Sequence, residues 1–269
     1  MTPMARATAT LYLGVALPAL LVALVPALLV GGLWGPHGGD ALLWEAGGFP
    51  LLETARLLAP TALALGRAVP WALLAWMILG LLPQAMALAF LAPGERSPLE
   101  QATLALRSLP ALFFVLSVTV LARVIALLLC ILFAKGLTPG LAGLSDPVRA
   151  LVHLPIVLLA FLLLTLLRVL QDLTGTAVVL RGERGRDALL TGLEILHRHP
   201  FSSVGAWARW ALLGFGIAVA AWWLGSRWHA GAGLGLAALI HQVGLVGISW
   251  TRARWLKRTM SILESKSNL

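Results

Sequence analysis

The chain contains very little cysteine and very little charge. Cys130 is the single cysteine and lies in an apolar run, which excludes disulfides within the chain and metal sites built from several cysteines. Charged residues make up 12% of the 269 residues, and eleven acids with twenty bases cannot cover a chain that is 59% hydrophobic. A soluble globular domain is therefore excluded, and the composition predicts a protein whose main solvent is a lipid bilayer.

The sequence also lacks the motifs of common catalytic and metal sites. It contains no His-Glu-x-x-His motif and no glycine-rich phosphate loop with lysine. Gly247-Ile248-Ser249 is similar to the motif of intramembrane serine proteases, but the nearest histidine, His241, lies on the same predicted helix. Catalysis would need a histidine on another helix, beside the serine. We therefore expect a non-enzymatic protein without a cofactor or metal.

The formal net charge of +9 does not indicate a nucleic-acid partner. The bases gather at the ends of apolar segments and do not form stripes interleaved with stacking aromatic residues. Seventeen arginines against three lysines, with many alanines, glycines and leucines, suggest a GC-rich bacterial genome. Membrane lipids are the expected partners, and a cytoplasmic or membrane protein partner stays open.

Six apolar segments are long enough to cross a bilayer, which takes about 20 helical residues. They cover residues 11–33, 69–91, 109–133, 150–170, 204–223 and 231–250. The last two should form an antiparallel hairpin, with Trp222, Trp223 and Trp228 at the interface near its turn. The sequence thus predicts an all-α, polytopic transmembrane helix bundle that forms a single membrane domain over residues 1–269. Residues 51–65 could form a surface helix or a re-entrant segment.

The orientation follows from the basic residues on each side of these spans. With the N-terminus inside, thirteen bases lie on the cytoplasmic side and five on the outer side. The two remaining bases, Arg123 and Arg209, lie within spans. We therefore expect a multi-pass protein of the bacterial plasma membrane with both termini in the cytoplasm.

Two of the predicted cytoplasmic loops share a repeated pattern. Each has Gly-Glu-Arg, an amphipathic helix, a proline and then a span: the first copy runs from Gly94 to Pro110 and the second from Gly182 to Pro200. Ser97-Pro98-Leu99-Glu100 predicts a capping box with proline at the first helical position. Because both copies lie on one side, they predict parallel repeats related by an axis along the membrane normal.

The helix of the second copy is strongly amphipathic. Three leucines form its apolar face and four polar residues form the other: Leu189, Leu193 and Leu196 against Asp187, Thr191, Glu194 and Arg198. Such spacing is typical of a helix at a membrane interface. The helix could simply lie among the headgroups, or it could dock a cytoplasmic protein, with Asp187 and the three leucines as the docking residues. Two cytoplasmic amphipathic interfacial helices are predicted in all.

These loops resemble those of bacterial six-span proteins related to the membrane domain of glycerophosphodiester phosphodiesterase. In that group a charged turn and a short amphipathic helix precede a proline-led span. The likeness is carried by residues 172–200 and 96–110, including Arg184, Asp187, Ala188 and His199. The resemblance implies a six-span helical domain. It implies no catalytic residue, because the chain has no recognisable phosphodiesterase domain.

The inner loops of transport permeases offer a second likeness. Their short coupling helix contains an alanine-rich motif with glycine, and Asp187-Ala188 followed by Gly192 is similar, with the glycine one residue early. The main hypothesis is a membrane subunit or scaffold of an envelope or transport assembly. The alternative is a permease-like subunit of an ATP-driven transporter that couples through the helix at residues 187–198.

Arg123 lies near the middle of the third predicted span, too deep for easy snorkelling, which makes it a candidate functional residue. Because no Asp or Glu lies within the six predicted spans, its partner must be a backbone carbonyl, water, a polar group such as Gln242, or an external anion. A purely structural arginine is the alternative. His241 and Gln242 complete a candidate intramembrane polar site. A cavity lined by Arg123 and Gln242 would indicate a transporter, whereas dry, glycine-packed interfaces would indicate a scaffold.

Overall fold

A computed structural model describes residues 2–16, 79–141, 143, 145–225, 227 and 233–265. Their regular structure is helical throughout. The chain divides into two compact units, one of Met1–Leu11 with Gln84–Leu269 and one of Tyr12–Pro83. Most of the first predicted span, part of the second, and residues 51–65 lie outside the described residues. The single domain over the whole chain stays a prediction.

Seven helices follow one another along the described chain. They are α1 (residues 3–16), α2 (Leu79–Leu91), α3 (Pro98–Leu137), α4 (Asp146–Arg181), α5 (Gly185–Arg198), α6 (Pro200–Gly225) and α7 (Gly233–Glu264), and a 3₁₀ turn at Thr138–Leu141 follows α3. Three apolar helical segments are long enough to cross a membrane: Pro98–Gly140, Ala150–Arg181 and Pro200–Gly225. They indicate a membrane-embedded protein, as the composition predicted.

The third and fourth predicted spans lie inside longer helices. α3 begins at Pro98 and continues through Pro110, so the first predicted interfacial helix and the third span form one helix. Proline removes one backbone hydrogen bond, and the packed turns on both sides of Pro110 offset this local loss. α4 continues past Leu170 to Arg181, which places Asp172 within a helix and not in a loop.

Both Gly-Glu-Arg turns contain a glycine with positive φ. Gly94 and Gly182 are the glycines of this kind in the described chain, at 99° and 65°. A glycine adopts such a conformation without a Cβ penalty, and Gly182 is the residue that caps the end of α4. The N-cap residues that follow, Ser97 and Arg184, are both extended, with ψ of 155° and 154°. The predicted capping box is present, because Ser97 and Glu100 exchange both hydrogen bonds.

In α5 the inward face consists mainly of small residues together with Ile195, and the leucines are exposed or half-buried. The residues buried against the rest of the fold are Gly185, Ala188, Gly192 and Ile195. Leu193 is 48% exposed, whereas Leu189 and Leu196 are half-buried. The start of α3 follows the same rule, since it buries Gln101, Ala105 and Ser108 while Leu99 and Leu106 are exposed. Small residues face inward because they allow helix backbones to approach closely.

The centre of the bundle is the second half of α4. Every residue from 169 to 179 is buried, so this part of the helix is surrounded on all sides. α3, α5, α6 and α7 all pack against α4. Gly175 faces Leu112 of α3 and Gln84 of α2, where an added Cβ would meet their side chains at 3.4 and 3.6 Å. The first half of α4 instead exposes most of its leucines, as expected for a helix in lipid.

α6 and α7 form the antiparallel hairpin that the sequence predicted. Three glycines set the spacing between them: an added Cβ would lie 2.6–2.9 Å from the facing residue in the pairs Gly214–Thr251, Gly247–Ile217 and Gly244–Ala221. At the turn, the Arg227 guanidinium lies 3.9 Å from the centre of the Trp223 ring. α7 then continues past the sixth predicted span to Glu264.

The first helix joins the bundle through alanine. Ala7 of α1, Ala87 of α2 and Ala253 of α7 form a fully buried cluster, surrounded by partly buried side chains that include Met4 and Phe90. The absence of larger side chains lets three helices meet at one point. This contact brings the beginning of the chain next to the charged second half of α7.

We expect Gly192→Ala to loosen the attachment of α5. An added Cβ would lie 2.5 Å from Thr174 Oγ1, a short buried side chain that already hydrogen-bonds to the carbonyl of Leu170. Overpacking of this kind costs about 1–3 kcal/mol. Thermal unfolding of the purified chain in detergent measures the loss, and limited proteolysis near residues 182–184 detects the freed helix.

Gly205→Ala in α6 is the matched control, because an added Cβ at Gly205 meets nothing within 4 Å. Alanine has a higher helix propensity than glycine, so this change should leave the melting temperature unchanged or raise it slightly. Equal melting temperatures for the two variants would contradict the close packing of α5 on α4.

Candidate functional site

A buried carboxylate joins α4 to α7. Asp172 of α4 is fully buried, and both of its oxygens accept hydrogen bonds from the Arg252 guanidinium of α7. Trp255, about one turn further along α7, donates its indole N–H to Asp172 Oδ2 over 2.8 Å. A two-pronged guanidinium contact and a third donor together stabilise a carboxylate that has no access to water. Asp172 therefore fixes the two helices to each other.

Two further contacts continue this connection along α4 and α7. The buried hydroxyls of Thr176 and Thr259 are 2.7 Å apart and share a hydrogen bond. Arg181 then donates to the backbone carbonyl of Leu263 over 2.9 Å. Residue numbers rise along both helices from one contact to the next, so α4 and α7 are parallel here. We call these contacts, together with that of Asp172, the polar ladder.

Two more arginines surround Asp172. Arg168, one turn earlier on α4, has its Nε 3.9 Å from Asp172 Oδ2 and a side chain that is 39% exposed. Arg123 of α3 donates to Oε1 of Gln171 over 2.5 Å and lies 3.5 Å from the Leu167 carbonyl. We call the set the arginine cluster: Asp172 with Arg123, Arg168 and Arg252. One carboxylate faces three guanidinium groups, so the cluster has an excess of positive charge among the described residues.

A groove of about 320 Å³ opens beside the arginine cluster, between α4, α6 and α7. Its lining includes three tryptophans, Trp207, Trp210 and Trp255, and Arg168 and Arg252 supply its charged groups. We call it the tryptophan groove. Mostly apolar walls with a few polar groups are the usual form of a ligand site, and the volume is that of a small ligand or a headgroup.

A larger cavity of about 1140 Å³ lies where α1 begins and α7 ends. Four bases line this basic cavity together with two acids and the first residues of the chain: Arg209, Arg254, Lys257 and Arg258, with Glu95, Glu264, Thr2 and Pro3. Gln101 also lines it and has a buried Oε1 without a hydrogen-bond partner among the described residues. The basic cavity thus brings the N-terminal residues and the bases of α7 together.

The candidate polar residues named from the sequence do not converge. Arg123 lies on Gln171, next to the Asp172–Arg252 pair, whereas His241 packs on Gly225 at the end of α6. His241 lies eleven residues before Arg252 on α7, which is about 16 Å along the helix axis. Gln242 is exposed beside it. The tryptophan groove and the basic cavity have neither Arg123 nor Gln242 among their lining residues.

No protein-family model, curated protein or solved structure matches this chain. The resemblance to six-span proteins related to the membrane domain of glycerophosphodiester phosphodiesterase therefore stays a prediction. The function has to be inferred from the geometry of the described residues.

Asp172, Arg252 and Trp255 were not predicted as site residues. Ending the fourth span at Leu170 put Asp172 in a loop, where a carboxylate needs no partner. The spacing carried a usable signal: Arg168 and Asp172 are four residues apart, which puts them on one face of a helix if α4 continues. The partner on α7 is 80 residues away in the chain, and no local pattern connects it to Asp172.

Asp172→Ala should be strongly destabilising. It removes the acceptor for Arg252 and Trp255 and leaves a buried guanidinium without its partner, which costs about 3–5 kcal/mol. Thermal unfolding in detergent, followed by tryptophan fluorescence, measures the change. Glu194→Ala is the matched control, because it breaks an exposed ion pair, with Arg198 at 2.6 Å, that is worth only about 0–1 kcal/mol. Similar losses in the two variants would contradict a central role for Asp172.

Arg123→Leu should also destabilise the chain, because it leaves the buried amide oxygen of Gln171 without its donor, at a cost of about 1–3 kcal/mol. Replacing both partners, in Arg123→Leu with Gln171→Leu, should recover most of this loss, since no polar group is then left unpaired. Melting temperatures of the two single variants and the double variant give the coupling energy. Additive losses would show that Arg123 acts through something other than Gln171.

Proposed function

We propose that the chain is a non-enzymatic, multi-pass protein of a bacterial plasma membrane that acts as a membrane subunit or scaffold within an envelope or transport assembly. The observation that carries this proposal is the way α5 packs on the bundle. This helix is attached to the centre of the bundle by a face of small residues and Ile195, and it presents Leu190 and Leu193 outward. A rigidly held, outward-facing apolar helix is the element that a scaffold needs in order to hold another protein.

α5 is attached to the rest of the fold at its beginning and in its middle. At its beginning, Glu183 lies 3.5 Å from the Arg181 guanidinium and accepts a hydrogen bond of 2.9 Å from Thr191. In its middle, Gly192 packs on Thr174 in the fully buried part of α4. The polar ladder fixes that same part of α4 to α7. α5 is thus part of the packed core on one side and open on the other.

The glycine-packed contacts of α4–α5 and α6–α7 also favour a scaffold over a mobile transporter. Close backbone packing through Gly192, Gly214 and Gly247 leaves little room for helices to slide. The basic cavity supports placing both ends of the chain on one side, since Thr2 and the bases of α7 line it together. By the positive-inside rule that side is the cytoplasmic one, which is also where we place α5.

A permease-like subunit of an ATP-driven transporter is the second candidate, and α5 is again the relevant element. Ala188 and Gly192, which carry the likeness to a coupling helix, are buried against the chain's own core. A coupling ATPase would therefore contact the exposed side of α5, where Asp187, Leu190 and Leu193 lie. This arrangement makes the same residues the docking surface in both candidates.

Leu193→Asp should release a protein partner. The side chain is 48% exposed, so the new carboxylate leaves the fold intact but puts a charge into the apolar contact. Affinity purification of the tagged full chain from its own membranes in mild detergent, with mass spectrometry of the bound proteins, measures the loss. Recovery of an ATPase would indicate the permease-like subunit, and recovery of another membrane or envelope protein the scaffold.

Leu106→Asp on α3 is the matched control, because Leu106 is 57% exposed and belongs to the other repeat copy. A partner that binds α5 should survive this change and be lost with Leu193→Asp. Recovery of the chain alone, or a partner retained equally by both variants, would contradict the proposal. Unchanged protease accessibility of α5 in Leu193→Asp would confirm that the helix itself is still attached.

A further inference from the structure

The arginine cluster contains more positive charge than its own carboxylate can neutralise. Arg252 uses its paired nitrogens on Asp172, and Arg123 donates to Gln171, while Arg168 approaches Asp172 only through Nε at 3.9 Å. Within the described residues these four charged groups act on one another and no second carboxylate takes part. In a medium of low dielectric such an excess is expensive unless an anion neutralises it.

Arg168 is the member of the cluster that remains open to a ligand. Neither of its terminal nitrogens hydrogen-bonds to a described residue, and its side chain lines the tryptophan groove. Nε is the Arg168 nitrogen that approaches Asp172, and the side chain is 39% exposed, so the guanidinium keeps hydrogen-bonding capacity for a ligand in the groove. A guanidinium fork of this kind matches the oxygens of a phosphate or carboxylate.

The walls of the tryptophan groove favour an anion that carries apolar chains. Phe215 lines the groove and is 68% exposed on the outer surface of α6, so the groove opens beside an apolar, membrane-facing surface. Tryptophan is the residue that best tolerates both an acyl chain and a polar headgroup, which is why it is enriched at membrane interfaces. Apolar walls beside a membrane-facing surface therefore favour a ligand that carries acyl chains as well as a charge.

We propose that the tryptophan groove binds the phosphate of an anionic phospholipid, with Arg168 as the residue that contacts the phosphate and Arg252 as its electrostatic support. The glycerophosphate part fits the volume of about 320 Å³, and the acyl chains lie along the apolar outer surface of α6. Asp172 holds Arg252 in place and reduces the repulsion between the guanidinium groups of the cluster. The site is separate from α5 and goes beyond the proposed scaffold role.

The test uses the full chain, delipidated in detergent, and native mass spectrometry to count bound lipid. Dioleoylphosphatidylglycerol is the anionic probe and dioleoylphosphatidylcholine the zwitterionic one. The wild-type chain should bind the anionic lipid roughly tenfold more tightly, the effect of one charge-assisted contact. Arg168→Gln should abolish this preference, Arg168→Lys should keep part of it, and Arg186→Gln, an exposed arginine on α5, should keep all of it.

A second variant tests the groove without changing any charge. Ala218 lines the groove, and Ala218→Phe should fill it and abolish binding of the anionic lipid even if Arg168→Gln fails to fold. Retention of the preference in either Arg168→Gln or Ala218→Phe would overturn the proposal. Saturable binding of inorganic phosphate that is lost in Arg168→Gln, with no preference of the wild-type chain for the anionic lipid, would assign the site to free phosphate and would also overturn it. Because Leu193 lies on another helix, these results are independent of the partner test.

Discussion

The contact of Asp172 with Arg252 and Trp255 is the interaction on which the described fold depends. It lies at the level where α4 is buried on all sides, and it joins two helices that are 80 residues apart in the chain. A charged pair in a low-dielectric interior is not a strong source of stability in itself, but breaking it is costly, because each partner then lacks a counter-charge. We infer that the pair acts mainly by favouring the one relative position of α4 and α7 in which Asp172 meets both Arg252 and Trp255.

The distribution of side chains follows from the solvent. Small residues form most of the inward faces of α5 and the start of α3, while leucines such as Leu193 and Leu106 are exposed. Lipid is as apolar as leucine, so burying leucine gains little, and helix association has to come from close backbone packing and from hydrogen bonds. Gly192 on Thr174, Gly214 on Thr251 and the Thr176–Thr259 pair are contacts of that kind. The buried core accordingly combines apolar side chains such as Leu173 and Leu256 with small residues and hydrogen-bonded threonines at the helix contacts.

The sequence predicted the parts of the fold that have a local cause. The capping box at Ser97 and the glycine turns at 94 and 182 follow from neighbouring residues, and the α6–α7 hairpin follows from a short loop between two apolar runs. Leu109 and Leu170 were predicted as boundaries between a span and its neighbouring loop, but α3 and α4 continue through these positions. Hydropathy drops where the chain becomes polar, even when the helix itself continues. α4 continues to Arg181 since its polar residues find partners on α7, which no window of adjacent residues can show.

The contacts of the candidate site were also beyond the reach of local sequence patterns. The sequence left Arg123 a backbone carbonyl, water, a polar group such as Gln242 or an external anion as its partner, and in the structure it contacts the Leu167 carbonyl and Gln171. Gln171 was not named, because its position next to Arg123 depends on the antiparallel register of α3 and α4. Periodicity alone located the leucines of α5 on one side of the helix. It could not show which side is buried, because that depends on the packing of Gly185 on Phe114 and of Gly192 on Thr174.

One stretch of α4 connects the two proposed surfaces. Residues 168–174 contain Arg168 in the tryptophan groove, Asp172 in the polar ladder and Thr174 under Gly192 of α5. Fewer than two full turns of one helix therefore carry the basic wall of the groove, the contact with α7 and the seat of α5. The two proposed surfaces face different neighbours but share this one support, so a change that displaces these turns of α4, such as loss of the Asp172 carboxylate, should disturb both of them.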